Sequence, residues 1–277
     1  MTGSSANNTL LDNLIAALQR PGTSSSDDQY LYAILGREAV DTSVYSPAYR
    51  AKSLLQPTLE LWGHRYLRDV RASGSFAKGT ANRSGTDLDL FISVAEDTPN
   101  TLAEIYDTLV NQVKMRGYTP RRQNVSIGIV EAGLKVDLVP ARAKGWLFSS
   151  DHSLYHRKTG SWRKTNVDEH VRFVASSGRQ AEIRLLKLWR DQRGIEFPSF
   201  YLELAVIEAL RNRWVVSLSR CILTVLEYLS SDFARARFLD PANSNNVISD
   251  ELAAAEKQRV SQAAALSLTQ PWSRFVR

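Results

Sequence analysis

Residues 74–89 read GSFAKGTANRSGTDLD, and the fold turns on how that stretch is read. It opens on a Gly-Ser step among further glycines and small residues and closes on two aspartates separated by one leucine. Leu88, Leu90 and Ile92 alternate with Asp87, Asp89 and Phe91, the two-residue period of a strand, so Asp87 and Asp89 share one face. Two carboxylates on one face suit a hard cation. Magnesium prefers oxygen ligands, keeps several waters, and is commonly held by one or two carboxylates together with substrate phosphates. Gly74 tolerates the backbone angles that close approach needs, so the loop before the strand can aim N–H groups and the Ser75 hydroxyl at those phosphates. Taken separately, each half has a plainer reading, as a turn and as a surface strand with alternating acids.

The 277 residues suffice for a sizeable core in one large domain or two packed lobes. A charged fraction of 23% and a hydrophobic fraction of 43% are ordinary for a soluble globular protein. The net charge of +6 suits a nucleoside triphosphate, and equally nucleic acid or an anionic surface. A single cysteine, Cys221, excludes an intramolecular disulfide and a multi-cysteine zinc site, and its apolar helical setting reads as a buried thiol. The N-terminus lacks a charged segment followed by an apolar one, and no apolar run reaches membrane-spanning length, so a cytoplasmic protein with no membrane partner is expected.

In order, helical spacing predicts a helix over Leu10–Leu18, a Ser-rich connector over 21–28, and a second helix from about Asp28 to Gly36. Ser46-Pro47 starts a long helix over 48–68, with Leu54, Leu55, Leu59, Leu61 and Trp62 inward and Pro57 as a kink. A strand over 69–73 then leads into the phosphate loop. Thr98-Pro99 begins a helix that Gly117 stops. Strand-like runs follow in YTPRRQNV, SIGIVE and LKVDLVPA, with Ala132-Gly133 as a turn. In the last run Asp137 points away from the row formed by Leu134, Val136 and Leu138. Residues 145–166 read as a hairpin turning at Thr159-Gly160. Its His152, Tyr155, His156 and Trp162 have two readings, a base-stacking patch or aromatics of an edge hairpin packed on the sheet. From Asp168 the pattern is helical, interrupted at Gly178 and Phe197-Pro198, with loop PANSNN (241–246) before a last helix over about 250–266.

Gly-Ser, a Gly-Thr step, Asp-x-Asp opening an apolar strand, and Asp137 on a later strand together resemble the nucleotidyltransferase superfamily of DNA polymerase β, poly(A) polymerases, oligoadenylate synthases and cGAS. Within the helical half, LLKLWRDQRG followed by FPSFYLELAVIEAL is similar to the cGAS/DncV-like nucleotidyltransferases (CD-NTases) of bacterial anti-phage (CBASS) signalling and to the oligoadenylate synthases. The resemblance spans nearly the whole chain. It implies an α+β fold: a polymerase-β-like palm of mixed sheet and flanking helices with a long N-terminal spine helix, over residues 1–166, and an oligoadenylate synthase-like helical lobe over 167–277. The compact form, without cysteines for a zinc-bearing insertion, is most like clade E (CdnE) and implies no obligatory double-stranded DNA activator.

The family pattern makes Asp87, Asp89 and Asp137 both the catalytic residues and the ligands of two magnesium or manganese ions. It assigns Gly74, Ser75, Lys187 and Ser199 to the triphosphate. Ser199 after Pro198 reads as an N-cap whose helix offers N–H donors to an anion, and Lys187 adds a compact cation; from the residues alone they are a cap and a solvated helix cation. Asn166 is the position that clade-E enzymes associate with uracil, whose edge an amide can match, and it is equally placed to cap the next helix. Tyr155 and His152 are further base-contact candidates. The implied activity is template-independent joining of ATP, UTP or other NTPs, through a linear intermediate, into a cyclic dinucleotide or larger cyclic oligonucleotide that activates a downstream effector. A monomer is implied. The alternatives are an RNA-tailing or antibiotic-modifying nucleotidyltransferase, and a nucleotide- or RNA-sensing module without turnover.

Overall fold

The computed structural model describes residues 26–85, 87–145, 150–213 and 217–277. The helix expected over Leu10–Leu18 lies outside the described residues. The chain runs α1 (Ser26–Arg37), α2 (Pro47–Gly63), β1 (Leu67–Ala72), α3 (Gly74–Lys78), β2 (Leu88–Val94), α4 (Leu102–Met115), β3 (Arg121–Arg122), β4 (Ile127–Glu131), β5 (Leu134–Ala143), β6 (His152–His156) and β7 (Ser161–Thr165). There follow α5 (Val167–Ala175), α6 (Gln180–Gln192), α7 (Ser199–Ala209), α8 (Leu218–Ser231), β8 (Leu239–Asp240), β9 (Asn243–Val247), α9 (Ala254–Leu268) and α10 (Trp272–Phe275). The mixture of a sheet with helices is the α+β class expected. No helix among the described residues is long and apolar enough to cross a membrane.

Among the described residues the chain divides into two compact units, one within 41–78 and 85–172, the other within 26–40, 79–84 and 173–277. The division falls between Arg172 and Phe173, and two earlier stretches of the chain group with the C-terminal helices. Helix α1 goes with the C-terminal helices because Leu31, Ile34 and Leu35 share their apolar cluster, the Tyr30 hydroxyl donates to Val276 O, and Asp28 accepts from Ser219 N. Segment Gly79–Ser84 joins the same unit.

The sheet-bearing unit has strand order β1-β2-β5-β4-β3, with β6 on β5 and β7 on β6. Strands β2 and β5 are parallel and the other pairs antiparallel. Leu88, Leu90 and Ile92 of β2 join Val136 and Leu138 of β5 in one cluster with Leu55 and Leu59 of α2 and Tyr106, Leu109 and Val113 of α4. Side chains alternate across a strand, so this packing drives Asp89 and Asp137 to the opposite face.

Several boundaries differ from expectation for local reasons. Helix α2 stops at Gly63 rather than near 68, where a side chain at 63 would meet Leu67 Cβ at 2.7 Å and His64 takes a positive φ of 45°. Leu54 and Leu61, expected inward, are 49% and 46% exposed, because the buried stripe of α2 runs through Ala51, Leu55, Thr58 and Leu59. Helix α4 begins after Thr101, whose hydroxyl forms a reciprocal capping box with Glu104, rather than at Thr98-Pro99. PANSNN, expected as loop, supplies the turn and most of β9 in a two-stranded ribbon.

The helical unit packs α6, α7 and α8 around Trp189, Tyr201, Phe233 and Leu226. Cys221 is buried there, as expected.

Candidate active site

The strand pairing places Asp89 of β2 directly beside Asp137 of β5. Asp87 stands one residue before β2 begins. The backbone of Ser73 donates to Asp89 O at 2.8 Å, which ties the chain entering α3 to the carboxylate strand.

Gly74 is held against that strand. Its φ is +56°, and a Cβ built on it would lie 1.8 Å from Asp89 Oδ2 and 2.6 Å from its Cγ. No side chain fits there, so the backbone of the Gly-Ser step and the Asp89 carboxylate occupy adjoining space. Ser75 follows as the second residue of α3, a five-residue helix where an open loop was expected. Sequence reasoning paired the Gly-Ser step with the acidic strand, and in the fold the two touch.

Asp137 is supported by residues that the sequence reading passed over. Gln123 Nε2 donates to its Oδ1 at 2.7 Å, and Ser126 Oγ lies 3.5 Å from its Oδ2. The Gln123–Ser126 turn is itself fixed by the buried Tyr106, whose hydroxyl donates to the carbonyls of Gln123 at 3.1 Å and Ser126 at 2.9 Å. Gly128 pairs with Asp137 across the sheet, and a Cβ there would meet Gln123 Nε2 at 2.9 Å and Asp137 Oδ1 at 3.1 Å. A glycine inside an otherwise apolar strand marks such close approach, and that signal was available in SIGIVE.

Burial, and then the negative charge of Asp87, raise the Asp137 carboxyl above the ordinary carboxylate range, while Arg121, Gln123 and Ser126 pull it back. A carboxylate raised by the charge of a second one nearby fits a cation between them. Among the described residues no three His, Cys, Asp or Glu side chains gather at one metal-sized point, and the Asp137 oxygens face Gln123 and Ser126. The donor set is nonetheless all oxygen, which fits magnesium or manganese rather than zinc.

His152 and Tyr155 lie further along the same sheet. His152 is buried, edge-on to Phe91 with ring centroids 4.8 Å apart, with Nδ1 on Ser150 O and Nε2 on Ser93 Oγ, each at 2.8 Å. Both nitrogens are engaged within the fold, and the side chain packs in the core. Tyr155 is half-buried, 5.8 Å from the Tyr106 ring, in the packing that the plainer reading of the hairpin gave. Trp162 is the exposed aromatic, with Lys144 Nζ 4.0 Å from its ring centroid. The Asn166 Oδ1 accepts from Glu169 N at 3.0 Å, capping α5, and its Nδ2 donates to Asp151 at 3.1 Å. Both ends of the amide are taken within the fold.

Lys187 and Ser199 belong to the helical unit. Lys187 is not a solvated cation. It is 6% exposed, with Nζ 2.6 Å from Glu203 Oε1 and 2.9 Å from Thr80 Oγ1. Ser199 is the first residue of α7 with Pro198 at the cap position, and its hydroxyl accepts from Arg190 Nη1 at 2.8 Å instead of capping the helix.

Residues 52–158 match the nucleotidyltransferase domain family. A curated relative, the cyclic AMP-AMP-AMP synthase of Escherichia coli (strain MS 115-1), is 28% identical over 165 residues, which cover 53% of this chain and 51% of the relative. The chain thus spans about half the length of the curated relative it matches. The structure of E. coli MS115-1 CdnC with ATP superposes with a TM-score of 0.71 at 22% identity, covering 90% of this chain and 94% of that one. The Elizabethkingia meningoseptica CdnE cyclic dinucleotide synthase with GTP and Apcpp gives 0.68 at 14% identity, covering 88% and 99%. These likenesses share one fold and do not separate clade E from its neighbours.

Proposed function

We propose that this chain is a cGAS/DncV-like nucleotidyltransferase and joins nucleoside triphosphates, ATP among them, into a cyclic oligonucleotide messenger through a linear intermediate. The observation that carries the reading is the Gly74 backbone lodged against Asp89, itself in register with Asp137 and its supporting amide and hydroxyl.

Nucleotidyltransferases use divalent metal, and here Asp87 and Asp89 would hold it with Asp137 beside them. When bound, such an ion neutralises phosphate charge and makes a hydroxyl more acidic; two ions is the count the resemblance implies. Ser75 and the adjoining backbone are assigned to phosphate. In each transfer the acceptor's 3′- or 2′-hydroxyl oxygen bonds to the α-phosphorus of a donor. The bond to the β-phosphate breaks, and pyrophosphate leaves. Asp137 is assigned the hydroxyl proton. A second transfer within the linear product closes the ring.

Ser199, paired with Arg190, keeps its proposed phosphate role, since a hydroxyl and a guanidinium together suit an anion. For Lys187, the ion pair with Glu203 argues for an inner role instead. Uridine incorporation rests on Asn166, whose amide is engaged as a cap, so adenine nucleotides are favoured. A downstream effector responding to the product, in anti-phage signalling, is the biological setting proposed.

The test is incubation of the full chain with all four labelled NTPs and magnesium or manganese, with products resolved by chromatography. The Asp87→Asn, Asp89→Asn double variant is expected to stay folded and consume no nucleotide. Product from that variant would refute the mechanism. Label appearing on added RNA instead of in a cyclic species would favour a tailing enzyme.

A further inference from the structure

Between Ser75 and Asp87 the chain leaves the sheet-bearing unit, and segment Gly79–Ser84 is built into the helical one. Thr80 is fully buried, and its hydroxyl donates to Glu203 Oε1 at 3.0 Å. Lys187 Nζ closes the triangle through that same carboxylate and Thr80 Oγ1. Glu203 is 1% exposed, flanked in α7 by the buried Leu202 and Leu204. Asn82 Nδ2 donates to Arg184 O at 2.9 Å, Arg184 Nε returns a bond to Asn82 Oδ1 at 3.1 Å, and Arg184 Nη2 reaches Leu35 O at 3.0 Å. Arg83 N and Ser84 N donate to the backbone carbonyl and the carboxylate of Glu38.

A buried ion pair is a poor device for stability alone, because desolvation cancels most of its attraction and an apolar pair of similar volume commonly does as well. It does impose one geometry, since a misplaced partner leaves a buried charge uncompensated. The geometry imposed here is that of a short irregular segment, which the triangle grips at Thr80. The two ends of that segment lead, a few residues away in either direction, to Ser75 and to Asp87.

We propose that Glu203 is a positioning residue for nucleotidyl transfer: through Lys187 and Thr80 it fixes segment Gly79–Ser84 and so holds the chain between the phosphate step and the carboxylate strand on one path. This rests on the function proposed above. The same role accounts for a lysine being buried where a phosphate ligand would be expected to face solvent.

Two variants of the full chain test it, Glu203→Gln and Thr80→Val, each followed by thermal unfolding, steady-state kinetics with ATP and backbone hydrogen exchange. Both should remain folded, with kcat reduced about tenfold or more and KM for ATP within about twofold, since a displaced reacting group costs rate rather than uniform binding. Exchange should rise at 79–84 and also at 74–78 and 87–89. A folded Glu203→Gln protein with kcat within about twofold of the parent would overturn the proposal. So would faster exchange confined to 79–84, a result readable even if the parent chain consumes no nucleotide, in which case the function reading fails separately. Should Glu203→Gln not fold, Thr80→Val, which leaves both charges in place, decides by the same criteria.

Discussion

Replacing Gly74 with alanine tests the contact on which the site is built. The added Cβ would stand 1.8 Å from Asp89 Oδ2, whereas carbon and oxygen in close contact lie about 3.3–3.6 Å apart. The carboxylate must therefore retreat by roughly 1.5 Å, or the Gly-Ser step must move away from it. The φ of +56° adds a backbone cost of about 1–2 kcal/mol for any residue with a Cβ. A reacting group misplaced by about 1 Å loses on the order of a hundredfold in rate, or about 2.7 kcal/mol of barrier. Gly160→Ala is the matched control, because Gly160 has a φ of +59° and open space where its Cβ would go. Both variants should lose about 1–2 kcal/mol in denaturant unfolding, the backbone cost they share. Only Gly74→Ala should lose turnover of labelled ATP, by about a hundredfold in kcat. Near-parental turnover in folded Gly74→Ala, or an equal loss in Gly160→Ala, would refute the reasoning.

Asn166→Ala should cost about 1 kcal/mol in urea unfolding through the lost cap, while Asn166→Ser, which keeps a capping oxygen, should cost little. Neither should change the share of UTP in the product, and a selective loss of uridine in Asn166→Ser would restore the base-contact role. Burial, and then Arg71, hold the His152 imidazole below its ordinary pKa. In the unfolded chain it protonates near 6.5 while the folded form stays neutral, so its contribution to stability is complete above that pH and is lost as pH falls below it. Urea midpoints between pH 7 and 5 should carry a slope of at most about 1.4 kcal/mol per pH unit from this group; an unchanged slope in folded His152→Gln would exclude it. The Cys221 thiol, pushed up to about 11 by burial and then by Glu182, should resist iodoacetamide at pH 8 in the native protein and react on unfolding. Equal native and denatured labelling rates would contradict that burial.

Much of the site was legible because its residues stand on regular elements. The alternation through Asp89 and through Asp137 gives each carboxylate a face once the apolar row is known to point inward. The supporting residues were harder to read. Gln123 and Ser126 lie in an irregular turn whose conformation depends on the distant Tyr106 hydroxyl, and no local period announces it. For His152, Asn166 and Lys187 the sequence left out the partners that the fold supplies, Ser93, Asp151 and Glu203, because a polar side chain's partner is set by tertiary packing.

Local pattern sufficed for the strand that follows Asp87 and carries Asp89, for the alternation of the strand that bears Asp137, and for a run of helices beyond 167, since periodicity and turn chemistry act over a few residues, while a third carboxylate for the site came from the family resemblance. Three things waited on long-range packing. Helix α1 and segment Gly79–Ser84 join the C-terminal helices through bonds to residues far along the chain. Gly74 meets Asp89 only when β2 is laid beside its neighbours. Glu203, a buried acid between Leu202 and Leu204, acquires a purpose only when Lys187 and Thr80 are brought against it, because the cost of burying a charge is met by partners that no neighbouring position in the sequence supplies.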